Sequence, residues 1–166
     1  MSSIVFQEMR ESKALAYSVY STYTLPKEPT NSHYLMSYIG TQSDKLSEAM
    51  QGMTELLENM PEAETNMNNA KEGIEQKIRT ERITKSKILS EYEKVRKMGV
   101  KHDVRKDLYE GIQNFGMNNL REFHNSHIAG GTRVVMVLGS KDDLDLEVLK
   151  QYGEIVHLTL EDVFGY

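Results

Sequence analysis

Residues 15–40 read LAYSVYSTYTLPKEPTNSHYLMSYIG, and this stretch decides the fold. Its first part, residues 15–25, is rich in Tyr, Val and Thr and stops at Pro26, the composition of a β-strand. Residues 27–32 (KEPTNS) carry turn chemistry, and residues 33–40 (HYLMSYIG) form a second strand. The short proline-containing connection predicts an antiparallel pair, because parallel neighbours need a crossover of about a dozen residues or more.

Helical patterns flank this hairpin. Residues 2–13 (SSIVFQEMRESK) predict a short helix with Ser2 or Ser3 as N-cap and Ile4, Val5 and Met9 on one side. Beyond the hairpin, Leu46, Met50, Met53, Leu57 and Met60 recur at i, i+4, i+7, i+11 and i+14, a helix over residues 44–60 with one apolar face. Thr41, Ser43 and Asp44 offer caps, and Pro61 stops it. From about Glu62 a further helix carries Met67, Ala70, Ile74 and Ile78 in phase. Ile88, Tyr92 and Val95 resume the stripe, so the pattern fits one long helix or two joined near Thr84, ended by Gly99. Shorter helices are expected over 103–113 and 117–128, with Asn118 or Asn119 near the cap of the second.

The last part alternates. RVVMVLG (133–139) is apolar on both faces, as a central strand is. DDLDLEVLKQYG (142–153) reads as a capped helix closing on Gly153, and EIVHLTL (154–160) as a final strand. The order predicts an α+β fold, a mixed and largely antiparallel sheet with helices packed on it. The 166 residues fit one domain, since domains typically hold roughly 100–150 residues.

Composition narrows the function. The chain is 39% hydrophobic and 27% charged with a net charge of −5, an ordinary globular balance. No basic stripe with interleaved aromatics argues for nucleic acid. The longest apolar run, Val134 to Leu138, is far short of the roughly 20 residues that span a bilayer. There is no cysteine, which removes disulfides, thiolate metal sites and a cysteine nucleophile. The ten methionines are read as flexible core fillers.

No self-sufficient catalytic motif appears. His124 and His127, in HNSH, fall at i, i+3 on a predicted helix, where they share a partly exposed face. Glu122 precedes them, and neither H-E-x-x-H nor H-x-x-E-H occurs. LGSKDD (138–143) places Gly139, Ser140 and Lys141 at a strand-to-helix turn, read as an ordinary turn capped by Asp142 or Asp143. The charged run from Lys71 to Arg82 is a solvated helix face. Arg10 and Tyr17 stand apart. A helix end followed by a strand doubles the chain back, so a guanidinium fork and a phenol can face one surface, donors suited to a peptide carbonyl or a developing oxyanion. From spacing alone, the ordinary reading is an arginine in a surface ion pair and a core tyrosine.

The stretches MSSIVFQEMRESKALAYSV, YIGTQSDKLSEAM, VVMVLGSKDDLD and YGEIVHLTLEDVFGY, in this order, resemble the last domain of pitrilysin/insulinase-family zinc peptidases, the inverzincins. The resemblance implies a non-catalytic C-terminal domain over residues 1–166, partial and truncated at its N-terminus, that helps to enclose peptide substrate. The zinc and its H-x-x-E-H are then expected in another domain, of the same chain or of a partner subunit, and this chain alone is expected to be inactive. Matched to that family's Arg–six residues–Tyr element, Arg10 binds substrate backbone and Tyr17 donates to the oxyanion. The same resemblance also admits a structural pairing module without peptidase activity, with Arg10 and Tyr17 as relics of the fold. A truncated domain is further expected to self-associate through an exposed sheet edge or apolar helix face. Cytoplasm and periplasm, in a bacterial setting, both remain open for such a domain.

Overall fold

A computed structural model describes residues 4–26 and 28–166. The proposed N-cap at Ser2 or Ser3 lies outside the described residues. Helix α1 (Ile4–Phe6) runs directly into a wider π-helical segment, Gln7–Ser12, whose end is marked by Lys13 N–H donating to Glu8 O at 3.0 Å. Ala14 then takes a left-handed conformation at φ 50°, and Leu15 N–H reaches back to Met9 O at 2.8 Å. The chain thereby reverses into the hairpin.

Strands β1 (Ser18–Thr24) and β2 (Tyr34–Gly40) pair antiparallel in one register, from Ser18 opposite Gly40 to Thr24 opposite Tyr34. This is the pairing that the tyrosine- and valine-rich pattern predicts. A side-chain period of two then sorts the residues. On the odd-numbered face, Val19 is buried, Ser21 and Ser37 meet across the strands at 2.9 Å, and Leu35 and Ile39 are half-buried. The main core gathers there: Met9, Leu15, Val19 and Met53, with Val5, Phe6, Ile39, Leu56 and Leu57 packed around them.

Helix α2 (Leu46–Glu58) is the predicted helix entered through a 3-10 turn at Ser43–Lys45. Its buried side is Leu46, Ala49, Gly52 and Met53, so the apolar stripe faces the hairpin as the spacing requires. Gly52 sits where a Cβ would come within 3.1 Å of the Met9 sulfur, which lets α2 approach the π-helical segment closely. Thr41 does not cap α2; its hydroxyl donates to Leu15 O at 2.6 Å and ties the end of β2 to the turn before β1.

The stretch beyond Glu62 forms two helices rather than one. Helix α3 (Glu64–Thr80) ends at an extended Glu81, and a 3-10 turn at Lys85–Lys87 starts α4 (Ile88–Lys97). Ile88 and Tyr92 are exposed on α4 and only Val95 of the predicted stripe is half-buried. Helix α5 (Val104–Asn114) is capped by Asp103, which accepts from Arg105 N at 3.0 Å. Helix α6 (Met117–His127) starts after Gly116, with Asn119 inside the first turn accepting from Gly116 N at 2.9 Å.

The C-terminal expectations need correction. Among the described residues neither 133–139 nor 154–160 forms a strand: neither has a ladder partner, Gly139 lies at a bend, and Leu160 opens a helix. Val134, Met136 and Leu138 are almost wholly exposed. The sequence pattern describes side chains that favour a sheet, but a strand exists only where a neighbour accepts its hydrogen bonds. Helix α7 (Leu146–Lys150) is shorter than predicted and is capped by Asp145, not Asp142 or Asp143, through bonds from Glu147 N and Val148 N. A helix absent from the sequence reading, α8 (Leu160–Phe164), follows Thr159 and closes on Gly165 at φ 74°. The architecture is therefore α+β, helices with one small two-stranded antiparallel sheet.

Candidate functional site

Arg10 lies on the π-helical segment, the kind of local widening that recurs at functional positions because it re-aims side chains out of helical phase. Its guanidinium carbon sits 4.8 Å from the centroid of the Phe6 ring, a cation–π contact at an exposed position. Seven residues on, Tyr17 stands at the mouth of the hairpin. Its N–H donates to Gly40 O at 2.8 Å, extending the β1–β2 ladder by one bond, while its side chain is 69% exposed.

Among the described residues the Tyr17 hydroxyl has one hydrogen-bond partner. Gln42 Nε2 donates to it at 2.7 Å, so the phenol oxygen acts as acceptor and its own O–H remains available to donate. Gln42 follows the last residue of β2 by two positions and is fixed by the same crossing that puts Thr41 on Leu15 O. Lys45 adds a bond from Nζ to Ala14 O at 3.1 Å, and Lys13 pairs with Glu55 of α2 at 3.0 Å. The segment between Arg10 and Tyr17 is thus clamped from α2 and from the end of β2. Gln42 carries no local signal: the YIGTQ junction marks the strand end but not which polar residue reaches the phenol.

The histidines do not form a pair. His124 is buried, with Nε2 3.0 Å from Leu57 O, so it joins α6 to the end of α2. His127 instead packs on Phe123 with ring centroids 4.9 Å apart. Burial of His124 arises because α6 turns that side toward α2, which the spacing within HNSH alone does not reveal. Phe123 in turn meets Tyr23 edge-on at 5.5 Å, and Tyr23 meets His33 at 5.8 Å, so an aromatic row links the far end of the hairpin to α6. Among the described residues no group of three or more His, Asp or Glu is placed to hold a metal ion.

Two further polar arrangements shape the surface. Glu58, at the end of α2, accepts from Gly130 N at 3.0 Å and pairs with Arg133 at 2.5 Å; those bonds hold its carboxyl below the usual carboxylate range. The root of the 133–139 segment is pinned in this way. Between α3 and α5 an open groove is lined by Ile78, Arg82, Ile83, Arg105 and Tyr109, with Asp103 at its rim. Arg105 bonds Asp103 through side chain and backbone and drives its carboxyl down to about 2. Arg79 reaches the Tyr109 hydroxyl at 3.0 Å. Arg105 pairs with Asp103 and Arg79 with Glu75, and Glu81 also lines the groove, so its cations stand among carboxylates.

No family model, no curated protein and no solved structure matches this chain.

Proposed function

We propose that this chain is a non-catalytic domain that binds peptide beside the zinc site of a metallopeptidase, with Tyr17 donating to the oxyanion of the scissile carbonyl and Arg10 holding substrate backbone. The observation that carries this reading is the Tyr17 hydroxyl: exposed, held from one side by the Gln42 amide, and left with a free proton to donate. A donor held in advance stabilises developing charge more than one that must be ordered during the reaction. Gln42 is a positioning residue, since it acts through Tyr17. A zinc ion bound by another domain supplies the activated water. The residues of this chain contribute orientation of the peptide and hydrogen bonds to its reacting carbonyl.

The test is peptide hydrolysis by the full parent protein, wild type against Tyr17→Phe, with zinc content measured in both. Loss of about 10²–10³ in turnover at unchanged zinc is expected, the usual cost of one oxyanion donor. Equal rates would remove Tyr17 from the reaction. A second reading, a structural pairing module, is favoured by one contact: the Arg10 guanidinium already lies over the Phe6 ring and serves packing there. Under that reading the parent shows no hydrolysis in either form.

A further inference from the structure

The even-numbered face of the hairpin is solvent-facing and free of charged residues. While the odd face carries the core, the other face presents Tyr20, Tyr34, Met36 and Tyr38, between 44% and 57% exposed, interleaved with Ser18, Thr22 and Thr24. Although 27% of the chain is charged, neither strand holds an Asp, Glu, Lys or Arg. Depletion of charge with enrichment in tyrosine and methionine is what distinguishes the centre of a binding surface from ordinary solvated surface. The rings are also arranged in advance. Tyr20 and Tyr38, directly opposite in the register, stack with centroids 5.2 Å apart and planes 21° from parallel. Gly40 makes room for this: a Cβ there would meet the Tyr38 hydroxyl at 3.2 Å.

We propose that this face is a docking surface for an extended, uncharged peptide segment rich in apolar and aromatic side chains. The proposal rests on the peptide-binding reading above and names the class of segment taken. Size selects the occupant. Two paired seven-residue strands offer a platform about 23 Å long and about 10 Å wide. That footprint falls well below the roughly 800 Å² per partner that a stable dimer needs, and it matches one extended segment of about seven residues. A second copy would also bring its own net charge of −5 toward this chain, whereas an uncharged segment meets no opposing charge on either strand. Tyrosine suits this work because it gives a large rigid contact with few torsions to freeze.

The experiment uses the 166-residue chain and an eight-residue peptide of Leu, Tyr, Gly and Gln with blocked ends and a fluorescent label, read by anisotropy. A second peptide replaces the two Gln with Glu. The expected result is saturable binding of the neutral peptide, weakened at least about tenfold by Tyr20→Ser with Tyr38→Ser and by Tyr38→Lys, and kept by Tyr20→Phe with Tyr38→Phe. The acidic peptide binds at least about tenfold more weakly. Amide-exchange protection of β1 and β2 in each variant separates loss of the surface from loss of the hairpin. No binding of the neutral peptide overturns the proposal, as does equal binding by a folded serine variant or equal affinity for both peptides. A wild-type dimer that the serine variant dissociates overturns it in favour of self-pairing. Tyr17→Phe hydrolysis in the parent decides the peptidase reading separately, so that reading stands or falls without this surface.

Discussion

The hairpin with α1 and α2 and the stretch from Gly131 to Tyr166 have much the same share of strand-favouring residues, and they end up in opposite states. In the first, Leu15, Val19, Met9 and Met53 lose almost all contact with solvent. In the second, Val134, Met136, Leu138, Val156 and Leu158 remain exposed, and no ladder forms. The difference lies in cover, not in composition. Tyr17 to Thr24 finds Tyr34 to Gly40 ten residues away and α2 beneath it, whereas the 133–139 segment is held only at its root by Glu58.

The sharpest way to break this comparison is to delete matched methionines. Met9→Ala removes a fully buried side chain and is expected to cost about 2–5 kcal/mol, read by urea denaturation of the whole chain. Next in size, His124→Leu removes the bond to Leu57 O that joins α6 to α2. A loss of about 1–3 kcal/mol is expected, with faster amide exchange at the end of α2.

Asp103→Ala removes the α5 cap and is expected to cost about 0.5–2 kcal/mol. The carboxyl pKa of Asp103 is depressed in the folded state, so its contribution is present above about pH 4. It fades as pH falls through about 2, and Glu58 behaves in the same direction through Arg133. Urea melts from pH 6 to pH 2 should therefore lose the difference between wild type and Asp103→Ala at the acid end. The smallest effect belongs to Met136→Ala, expected within about 0.5 kcal/mol of wild type because its side chain has nothing to leave. A cost near that of Met9→Ala would show that the 133–139 segment is covered in solution, and the contrast between the two regions would collapse.

Where contacts were local, the sequence sufficed. The antiparallel hairpin followed from a tyrosine-rich run, a proline-containing turn and a second run, and α2 from a stripe in helical phase. The sequence left one long helix and two joined near Thr84 equally open, and the structure has two, α3 and α4, with Thr84 between them. Long-range cover was not legible. The 133–139 and 154–160 segments carry strand patterns without partners, and Ile88 and Tyr92 carry a helical stripe that faces solvent. At the candidate site, Arg10 and Tyr17 were singled out by residue type and by the family resemblance, since spacing alone reads as a surface ion pair and a core tyrosine. The hold of Gln42 on the phenol depends on how the end of β2 crosses the start of β1, a three-dimensional fact with no local signature. His124 shows the same limit: its bond reaches a carbonyl 67 positions away.

Ala14 carries a consequence for evolution at this site. A residue with a Cβ at φ 50° costs roughly 1–2 kcal/mol relative to glycine, yet alanine stands there. Glycine would relieve the strain but loosen the unfolded and folded chain alike, softening the turn between Arg10 and Tyr17. Position 14 is therefore where a lineage trades thermal tolerance against geometric fidelity. Drift toward β-branched residues is closed to it, and drift toward glycine would be visible first in the precision of the site rather than in whether the chain folds.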